Sequence, residues 1–323
     1  GAVNLEDISQ PNCYRVLDEL RASCGIPVWH DDAQGTACVT LAGLLNALKL
    51  AGKSIQSIRA VLFGAGASNS TIASILIQSG LDPQNLVMFD SRGGLHAGRD
   101  DLAQNPAKSR QWALARISNP KRLATMEEAM KGADVLISLS TPGPHVIKPE
   151  WIRLMAPKAI VFACANPVPE IYPHDAKAAG AFIVATGRGD FPNQINNSCG
   201  FPGILKGALL VRASQITDGM AIRAAHSLAD FAEARGINPD NIVPRMDEEN
   251  VFANEAADVA EQAVREGVAA QPLTRDEVFA RTAADIRATR DLCHRMMSDG
   301  SINPPPRELI ETALKHTREL LGK

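Results

Sequence analysis

The chain has 323 residues, 45% of them apolar and 21% charged, and a formal net charge of −3. This length and composition predict a globular protein with a substantial core, in one large domain with helical additions or in two domains. No run of Lys or Arg is long enough to suggest a nucleic-acid partner, and no apolar run reaches the roughly 18 residues typical of a membrane span.

The cysteines are scattered along the chain without a Cys-x-x-Cys pair, and several lie in apolar stretches where Cys acts as a small hydrophobic residue. No signal peptide is recognisable at the start. We therefore expect reduced thiols and a cytoplasmic location. The cysteines are Cys13, Cys24, Cys38, Cys164, Cys199 and Cys293.

Two acidic pairs come first along the chain: Glu6 and Asp7 in NLEDI, and Asp31 and Asp32 in WHDDAQGTA. Adjacent carboxylates repel each other and are costly to bury unless a cation gathers them. Apolar and small residues surround the second pair in the sequence, which is not the pattern of a solvent-exposed face. An all-oxygen ligand set suits Mg²⁺ or Mn²⁺ and not zinc. A metal site is one interpretation, and capping of helix N-termini is the other.

From about residue 57, short apolar runs alternate with amphipathic helical stretches, the pattern of a parallel sheet covered by helices. The runs are rich in β-branched residues, as in strands buried on both faces. The predicted fold class is α/β, a Rossmann-type doubly wound parallel sheet with flanking helices and an appended C-terminal helical segment. A helix at 40–51, ended by Gly52, precedes the sheet. The predicted strands are 58–63, 86–89, 135–139, 160–164 and 182–185.

The first of these strands runs into the turn GAGASN and then into a helix, the order that a dinucleotide site requires. Gly64 makes the tight turn and Gly66 lets the backbone approach the pyrophosphate. The free N–H groups that open the helix, at Ala67 and Ser68, bind the anion. Asn69 stands at the third position of G-x-G-x-x-G, where Gly permits close packing, so we expect the helix slightly further from the strand. The alternative interpretation of GAGASN is an ordinary strand–helix turn.

The second strand, LVMFD, ends in Asp90 at the spacing usual for a ribose-binding carboxylate. The alternative interpretation is that Asp90 is an ordinary acidic residue on the surface. Asp90 favours the 2′-hydroxyl of NAD and would repel a 2′-phosphate, whereas Ser91 and Arg92 could bind that phosphate. The predicted cofactor is NAD or NADP, with NAD favoured.

After residue 203 the apolar spacing is helical through about residue 234, and again over 254–266. Two further helices are predicted over 274–299 and 306–321, separated by SDGSINPPP, where the prolines cannot continue a helix. This C-terminal part is expected to form an appended helical cap.

The most specific segments of the chain are HDDAQGTA and GRGDFPNQINN. Together with NLEDI, GAGAS, FDSRGG, ANPVPE and FPGILKGAL, they stand in the order and approximate spacing of malic enzymes. The chain over about 1–235 therefore resembles a bacterial-type malic enzyme. The resemblance implies oxidative decarboxylation of malate to pyruvate and CO₂ with reduction of NAD(P)⁺, dependence on Mg²⁺ or Mn²⁺, and a homo-oligomer.

The resemblance also implies roles for residues near the start of the chain. The metal ligands would be Glu6, Asp7 and Asp32. Asp31 would lie beside the catalytic base and orient it, and Thr36 would contact the cofactor.

Two asparagines receive roles in the same way. Asn166 in ANPVPE would lie near the nicotinamide and the substrate. Asn197, the second of the paired asparagines, would bind a substrate carboxylate, to which an amide donates without adding charge. Without the resemblance, turn chemistry is the favoured explanation of both residues, since N-P and N-N are common loop dipeptides.

In the family the general base is a Lys and the general acid a Tyr, both in a domain that precedes the NLEDI segment. The resemblance therefore implies that this sequence lacks that N-terminal domain, and neither Tyr14 nor Tyr172 matches the catalytic position. Loss of acid and base, each worth roughly 10²–10⁴ in rate, predicts little malate decarboxylation by this chain. The predicted domains are a metal-binding segment at 1–38, an NAD(P)-binding domain at 39–215 and C-terminal helices at 216–323.

Two other functions remain open. One is a naturally short relative that works as a binding module or as a subunit of a split enzyme. The other is an NAD-dependent hydroxyacid dehydrogenase that does not decarboxylate. That dehydrogenase needs a base near the nicotinamide, and His30 is the nearest candidate, although a His after an apolar run is more often a packed or capping residue.

Overall fold

The computed structural model describes residues 1–248 and 250–320. It divides into two compact units, Gly1–Phe279 and Ala280–Lys323. The first unit contains all the strands given below. The domain boundaries expected after residues 38 and 215 stay a prediction.

The five predicted sheet strands are confirmed, with ends that shift by at most two residues. Their short apolar runs are buried on both faces, as strands of a parallel sheet covered by helices must be. The described strands are β1 Val3–Leu5, β2 Val28–His30, β3 Ala60–Phe63, β4 Leu86–Asp90, β5 Gly93–Gly94, β6 Val135–Ser138, β7 Ile160–Ala163 and β8 Ile183–Thr186.

The main sheet has the strand order β5-β4-β3-β6-β7-β8. Its strands β4, β3, β6, β7 and β8 are parallel, and β5 is an antiparallel edge strand. The order reverses at β3, which has β4 on one side and β6 on the other. In doubly wound sheets a ligand binds at such a switch point, beyond the carboxyl ends of the strands. The Rossmann-type fold predicted from the sequence is confirmed.

The described helices are α1 Asn12–Ser23, α2 Thr36–Ala51, α3 Ala67–Gln78, α4 Asp100–Ala103, α5 Ser109–Ile117, α6 Met126–Met130, α7 Pro149–Arg153, α8 Pro173–Ala178, α9 Phe201–Leu210, α10 Asp218–Arg235, α11 Val251–Arg265, α12 Arg275–Ser298 and α13 Arg307–Leu320. The helix predicted at 40–51 is α2, which begins four residues earlier. Gly52 ends it in the left-handed region, with φ 70°.

The continuous helical pattern after residue 203 is two helices and not one. The break between α9 and α10 ends at Thr217, whose hydroxyl accepts a hydrogen bond from the Met220 N–H at 3.0 Å and caps α10. Apolar spacing continues across the break because both helices bury a face in the same core.

The sheet is packed between two apolar clusters, and alternate residues of each strand contribute to opposite sides. One cluster includes residues of α2, α3, α9, α10 and α11, and the other includes residues of α6, α7 and α8. On the first side lie Leu62, Ile137 and Phe162, and on the second Val61, Leu136 and Val161.

All six cysteines are free thiols, as expected from their spacing. Among the helices of the described residues, none has the length and hydropathy needed to cross a bilayer.

Candidate functional site

The two acidic pairs meet because each follows a strand of one small parallel sheet. β1 pairs with β2, and Leu5 lies opposite His30 in the register. The next residues are Glu6 on one strand and Asp31 on the other, so both pairs leave the same edge. The backbone N–H of Asp7 donates to Asp32 Oδ2 at 2.8 Å. Strands of three residues carry too little periodicity to be recognised in the sequence, and this pairing was not predicted.

Asp31 is the buried member of the acidic group, with 1% of its surface exposed. Trp29 Nε1 donates to Asp31 Oδ1 at 3.0 Å, and Asn197 Nδ2 donates to Oδ2 at 2.7 Å. Gly35 leaves room for the carboxylate, since a Cβ at Gly35 would overlap Asp31 Oδ1. Burial raises the pKa of Asp31 to about 7, and the negative charge of Glu6 acts in the same direction.

Trp29 and Gly35 are site residues that sequence reasoning missed. Their only signal was their place beside the acidic pair in WHDDAQGTA. His30, the candidate base for a different chemistry, is fully buried, and both ring nitrogens lack a hydrogen-bond partner among the described residues. Burial lowers the pKa of His30. A packing role accounts for these features.

Glu6, Asp7 and Asp32 are the predicted metal ligands. Burial, followed by the charge of Asp32, raises the pKa of Glu6. Carboxylates that disfavour each other's charge in this way fit a divalent cation, which would remove the repulsion. In the described part of the chain, no three His, Cys, Asp or Glu side chains already form a group that could hold an ion as it stands. The ligand assignment stays a prediction.

The glycine turn has the geometry of a phosphate-binding loop. Gly64 has φ 102°, and a Cβ there would overlap the carbonyl oxygen of Leu139. At Gly66 an added Cβ would meet nothing within 4 Å, and α3 begins at the next residue, Ala67. The turn borders a cleft of about 430 Å³ that is also lined by Asp90, Ser91, Lys108, Ser140 and Thr141.

Asn69 holds the turn and the helix together by hydrogen bonds. It is fully buried, and its Nδ2 donates to the carbonyl oxygens of Phe63 at 3.0 Å and Gly64 at 2.9 Å. These bonds connect α3 to the end of β3. A side-chain amide at the third motif position therefore compensates for the absent Gly.

The acidic segment is hydrogen-bonded to the glycine turn. Ser68 Oγ donates to the carbonyl oxygen of Asp32 at 2.8 Å. Gln10 Nε2 donates to the carbonyl oxygen of Ala65 at 3.0 Å. The phenol of Tyr14, on α1, donates to the carbonyl oxygen of Ala67 at 3.0 Å. The predicted metal segment and the predicted dinucleotide turn are thus neighbours in the structure.

At the opposite end of the cleft, the Asp90 carboxylate is already paired. Arg99 donates to both of its oxygens, at 2.8 and 3.2 Å, and Lys108 Nζ lies 3.9 Å from Oδ2. Arg99 and Arg92 also pair with Asp101, at 2.7 and 3.3 Å. Three cations and two carboxylates share this corner, so Asp90 has more cationic partners than the neighbouring Arg92 that the sequence indicated.

The remaining predicted residues lie at the edges of the site. Thr36 is the first residue of α2 and is half-buried. Asn197 contacts Asp31, as described above. Asn166 follows β7 and is exposed, and its amide lies against Gly187, where a Cβ would be 2.9 Å from Asn166 Nδ2.

Glu255, on α11, is a fully buried carboxyl group that the sequence did not single out. Neither oxygen has a hydrogen-bond partner among the described residues. Burial raises the pKa of Glu255 well above its usual value, and the charges of Asp258 and Asp31 act in the same direction. Burial therefore favours the neutral form of this group in the folded protein.

Glu255→Gln is expected to stabilise the protein at neutral pH and not at low pH. Below about pH 4.5 the carboxyl is neutral in both folded and unfolded chains. Above that pH only the unfolded chain ionises, so the wild type loses up to about 1.4 kcal/mol per pH unit until its folded pKa is reached. Urea unfolding at pH 5 and pH 7.5 measures this difference. The control is Glu261→Gln on the same helix, where Glu261 pairs with Arg265. Its effect on the free energy of unfolding should not increase with pH in this way. A pH-independent effect of Glu255→Gln would contradict the prediction.

The comparisons with known proteins agree with this geometry. A family model described as the NAD binding domain of malic enzyme matches residues 33–264. The chain belongs to the malic enzyme family. The match covers the glycine turn, Asp90, Asn166 and Asn197, and it confirms the family predicted from the sequence motifs.

Solved malic enzymes have the same fold. The crystal structure of the malic enzyme of Entamoeba histolytica is 56% identical, has a TM-score of 0.96, and is aligned over 100% of this chain and 67% of that one. For the malic enzyme of Pyrococcus horikoshii the values are 46% identity, a TM-score of 0.86, and coverage of 92% and 68%.

Curated malic enzymes of both cofactor types are similar to this chain. The NADP-dependent malic enzyme of Halomonas elongata is 42% identical over 84% of this chain and 66% of its own length. The NAD-dependent malic enzyme of Geobacillus stearothermophilus is 41% identical over 83% of this chain and 54% of its own length. The chain spans about two thirds or less of the length of these two relatives.

Proposed function

We propose that this chain supplies the dinucleotide-binding and metal-binding part of a malic enzyme active site. The reaction is oxidation of malate at C2, with hydride transfer to NAD(P)⁺, followed by loss of CO₂ from C4 to give pyruvate. The observation that supports this most is the hydrogen bond from Ser68 to Asp32, which joins the glycine turn to the acidic segment. A dinucleotide and a metal-bound hydroxyacid would then be neighbours.

Glu6, Asp7 and Asp32 would hold Mg²⁺ or Mn²⁺, which as a Lewis acid would polarise the C2 oxygen of the substrate. Asp32 is held in place by the Asp7 N–H. Asp31 accepts from Trp29 and Asn197, so its carboxylate is fixed behind the ligands and orients the groups beside it.

Asn197 has a second role in this proposal. One of its amide hydrogens is used by Asp31, and the other is free to donate to a substrate carboxylate without adding charge. Asn166, exposed at the carboxyl end of β7, would contact the nicotinamide and the substrate from the other side of the cleft.

The cofactor is NAD or NADP. NAD was favoured because Asp90 would repel a 2′-phosphate. Since Arg99 and Lys108 balance that charge, the repulsion is weaker than the sequence implied. The dissociation constants for the two dinucleotides decide between them.

The experiment that tests this function follows NAD(P)H, pyruvate and CO₂ together in a mixture of the protein, malate, NAD⁺ or NADP⁺, and Mn²⁺. Equal amounts of the three products would show that the chain performs the whole reaction and not only the part proposed for it. NAD(P)H formed with oxaloacetate, and without CO₂, would instead show a dehydrogenase that does not decarboxylate. Dinucleotide and metal binding with little or no product supports the proposal that this chain supplies only that part of the active site, with the acid and base coming from elsewhere. Failure to bind either the dinucleotide or the metal would contradict it.

A further inference from the structure

Glu170 is a buried carboxylate at the carboxyl edge of the main sheet that accepts four hydrogen bonds. It is fully buried, and no ion pair involves it in the described part of the chain. Oε1 accepts from Ser138 Oγ at 2.6 Å, from the Ser140 N–H at 2.8 Å and from Ser140 Oγ at 3.1 Å. Oε2 accepts from the Ala165 N–H at 3.0 Å.

These four donors belong to two different strand ends. Ser138 is the last residue of β6, and Ser140 lies in the segment that follows it and lines the cleft beside the glycine turn. Ala165 follows β7 and directly precedes Asn166. Glu170 therefore fixes the two segments that leave β6 and β7 relative to each other.

Every partner of Glu170 is a donor, so a side chain that only accepts is required at this position. An ionised carboxylate has two oxygens with room for all four bonds, and charged acceptors make the stronger hydrogen bonds. Burying a carboxylate without a cation is costly unless its hydrogen bonds are complete. We therefore expect a buried carboxylate of this kind where it fixes the relative positions of the segments that donate to it.

The two segments lie on the nicotinamide side of the dinucleotide site. β3 ends in the turn that receives the pyrophosphate, and Asp90, at the ribose end, is on β4 on one side of β3. β6 and β7 lie on the other side of β3. A dinucleotide bound across the switch point places its two halves on these two sides.

We propose that Glu170 is a positioning residue for the nicotinamide half of the cofactor, acting through Ser140 and through the Ala165–Asn166 peptide. This inference rests on the proposed use of the cleft by a dinucleotide. The carboxylate touches neither cofactor nor substrate. It fixes the two segments that do.

The test compares the binding of NADH with the binding of ADP, which lacks the nicotinamide half. Glu170→Gln places an N–H group against the donors of Ser140 or Ala165. We expect the Kd for NADH to rise about 10- to 100-fold, because charged hydrogen bonds of this kind are lost. The Kd for ADP should stay within twofold. Isothermal titration of each variant gives both constants.

Two further variants keep the test decisive. Ser138→Ala removes one hydrogen bond to Glu170 from a residue buried at the end of β6. The Ser138 hydroxyl also lies 3.3 Å from Ser140 Oγ, so the change can act on the cofactor only through the Glu170–Ser140 cluster. Ser138→Ala should weaken the binding of NADH and leave the binding of ADP unchanged. This variant keeps the inference testable even if Glu170→Gln does not fold. Glu127→Gln, which changes a carboxylate that accepts from Trp151, is the matched control and should change neither constant.

Equal losses for NADH and ADP would overturn the inference, because general loosening of the cleft weakens both. Unchanged NADH binding in Glu170→Gln and Ser138→Ala would also overturn it, while leaving the proposed function intact. A wild-type protein that does not bind NADH would overturn both.

Discussion

Replacing Gly64 with Ala is expected to abolish measurable dinucleotide binding. The residue has φ 102°, and its added Cβ would overlap the carbonyl oxygen of Leu139, which is backbone and cannot rotate away. Left-handed backbone costs a residue with a Cβ roughly 1–2 kcal/mol before the overlap is counted. The turn must shift, and the N–H groups at the start of α3 lose their alignment with the pyrophosphate. We expect the Kd for NADH, measured by fluorescence titration, to rise more than about 100-fold, since aligned backbone contacts to the phosphates are worth several kcal/mol.

Gly66→Ala is the control that separates folding from binding. Its backbone is in an ordinary region, and an added Cβ meets no atom within 4 Å. The free energy of unfolding should therefore change by less than about 0.5 kcal/mol. The methyl group still occupies the path by which the pyrophosphate approaches the backbone, so NADH binding should weaken at least about tenfold. Wild-type affinity in Gly64→Ala would contradict the assignment of this turn.

Asp32→Asn is expected to remove the response of the protein to Mn²⁺. The amide keeps the size of the side chain, and its oxygen can still accept from the Asp7 N–H, so the local fold should survive. The charge that a hard divalent cation requires is lost, and we expect the Kd for Mn²⁺ to rise at least about 100-fold. Electron paramagnetic resonance of free Mn²⁺ measures this directly.

Asp82→Asn provides the matched control for the metal experiment. Asp82 accepts from the Gln84 N–H in a short helical turn before β4 and belongs to no part of the acidic segment. Its Mn²⁺ binding should equal that of the wild type. Unaltered Mn²⁺ binding by Asp32→Asn would remove Asp32 from the ligand set.

The sheet could be predicted because its strands are buried on both faces. Leu86–Asp90 and Ile160–Ala163 are apolar runs bounded by turns, and burial on both sides leaves a signal in every residue. The β1–β2 pair has no such signal, because each strand has only three residues and its partner is more than twenty residues away. The residue pattern therefore did not predict the strand pair that brings the acidic pairs together. Only the family resemblance, which made Glu6, Asp7 and Asp32 ligands of one metal, implied that they meet.

At two residues the structure adds side-chain partners that the sequence motif could not indicate. Asn69 looked like a defect in a glycine motif, yet its amide bonds the carbonyl oxygens at the end of β3. For Asp90 the sequence indicated Ser91 and Arg92 as neighbours, whereas in the structure Arg99, nine residues further along the chain, pairs with the carboxylate. In both cases the hydrogen bonds of the side chain depend on partners that folding brings together. A sequence motif shows only the neighbours along the chain.

The coupling of Mn²⁺ to dinucleotide binding tests most directly whether the acidic segment and the glycine turn form one site. The Kd for NAD⁺ and for NADP⁺ is measured with and without Mn²⁺, in the wild type and in Ser68→Ala, which lacks the hydrogen bond to Asp32. We predict that Mn²⁺ tightens dinucleotide binding about fivefold or more in the wild type, in the usual range of coupling between adjacent sites, and less in Ser68→Ala. Dinucleotide binding that is identical with and without Mn²⁺ would contradict a single site formed by the acidic segment and the glycine turn.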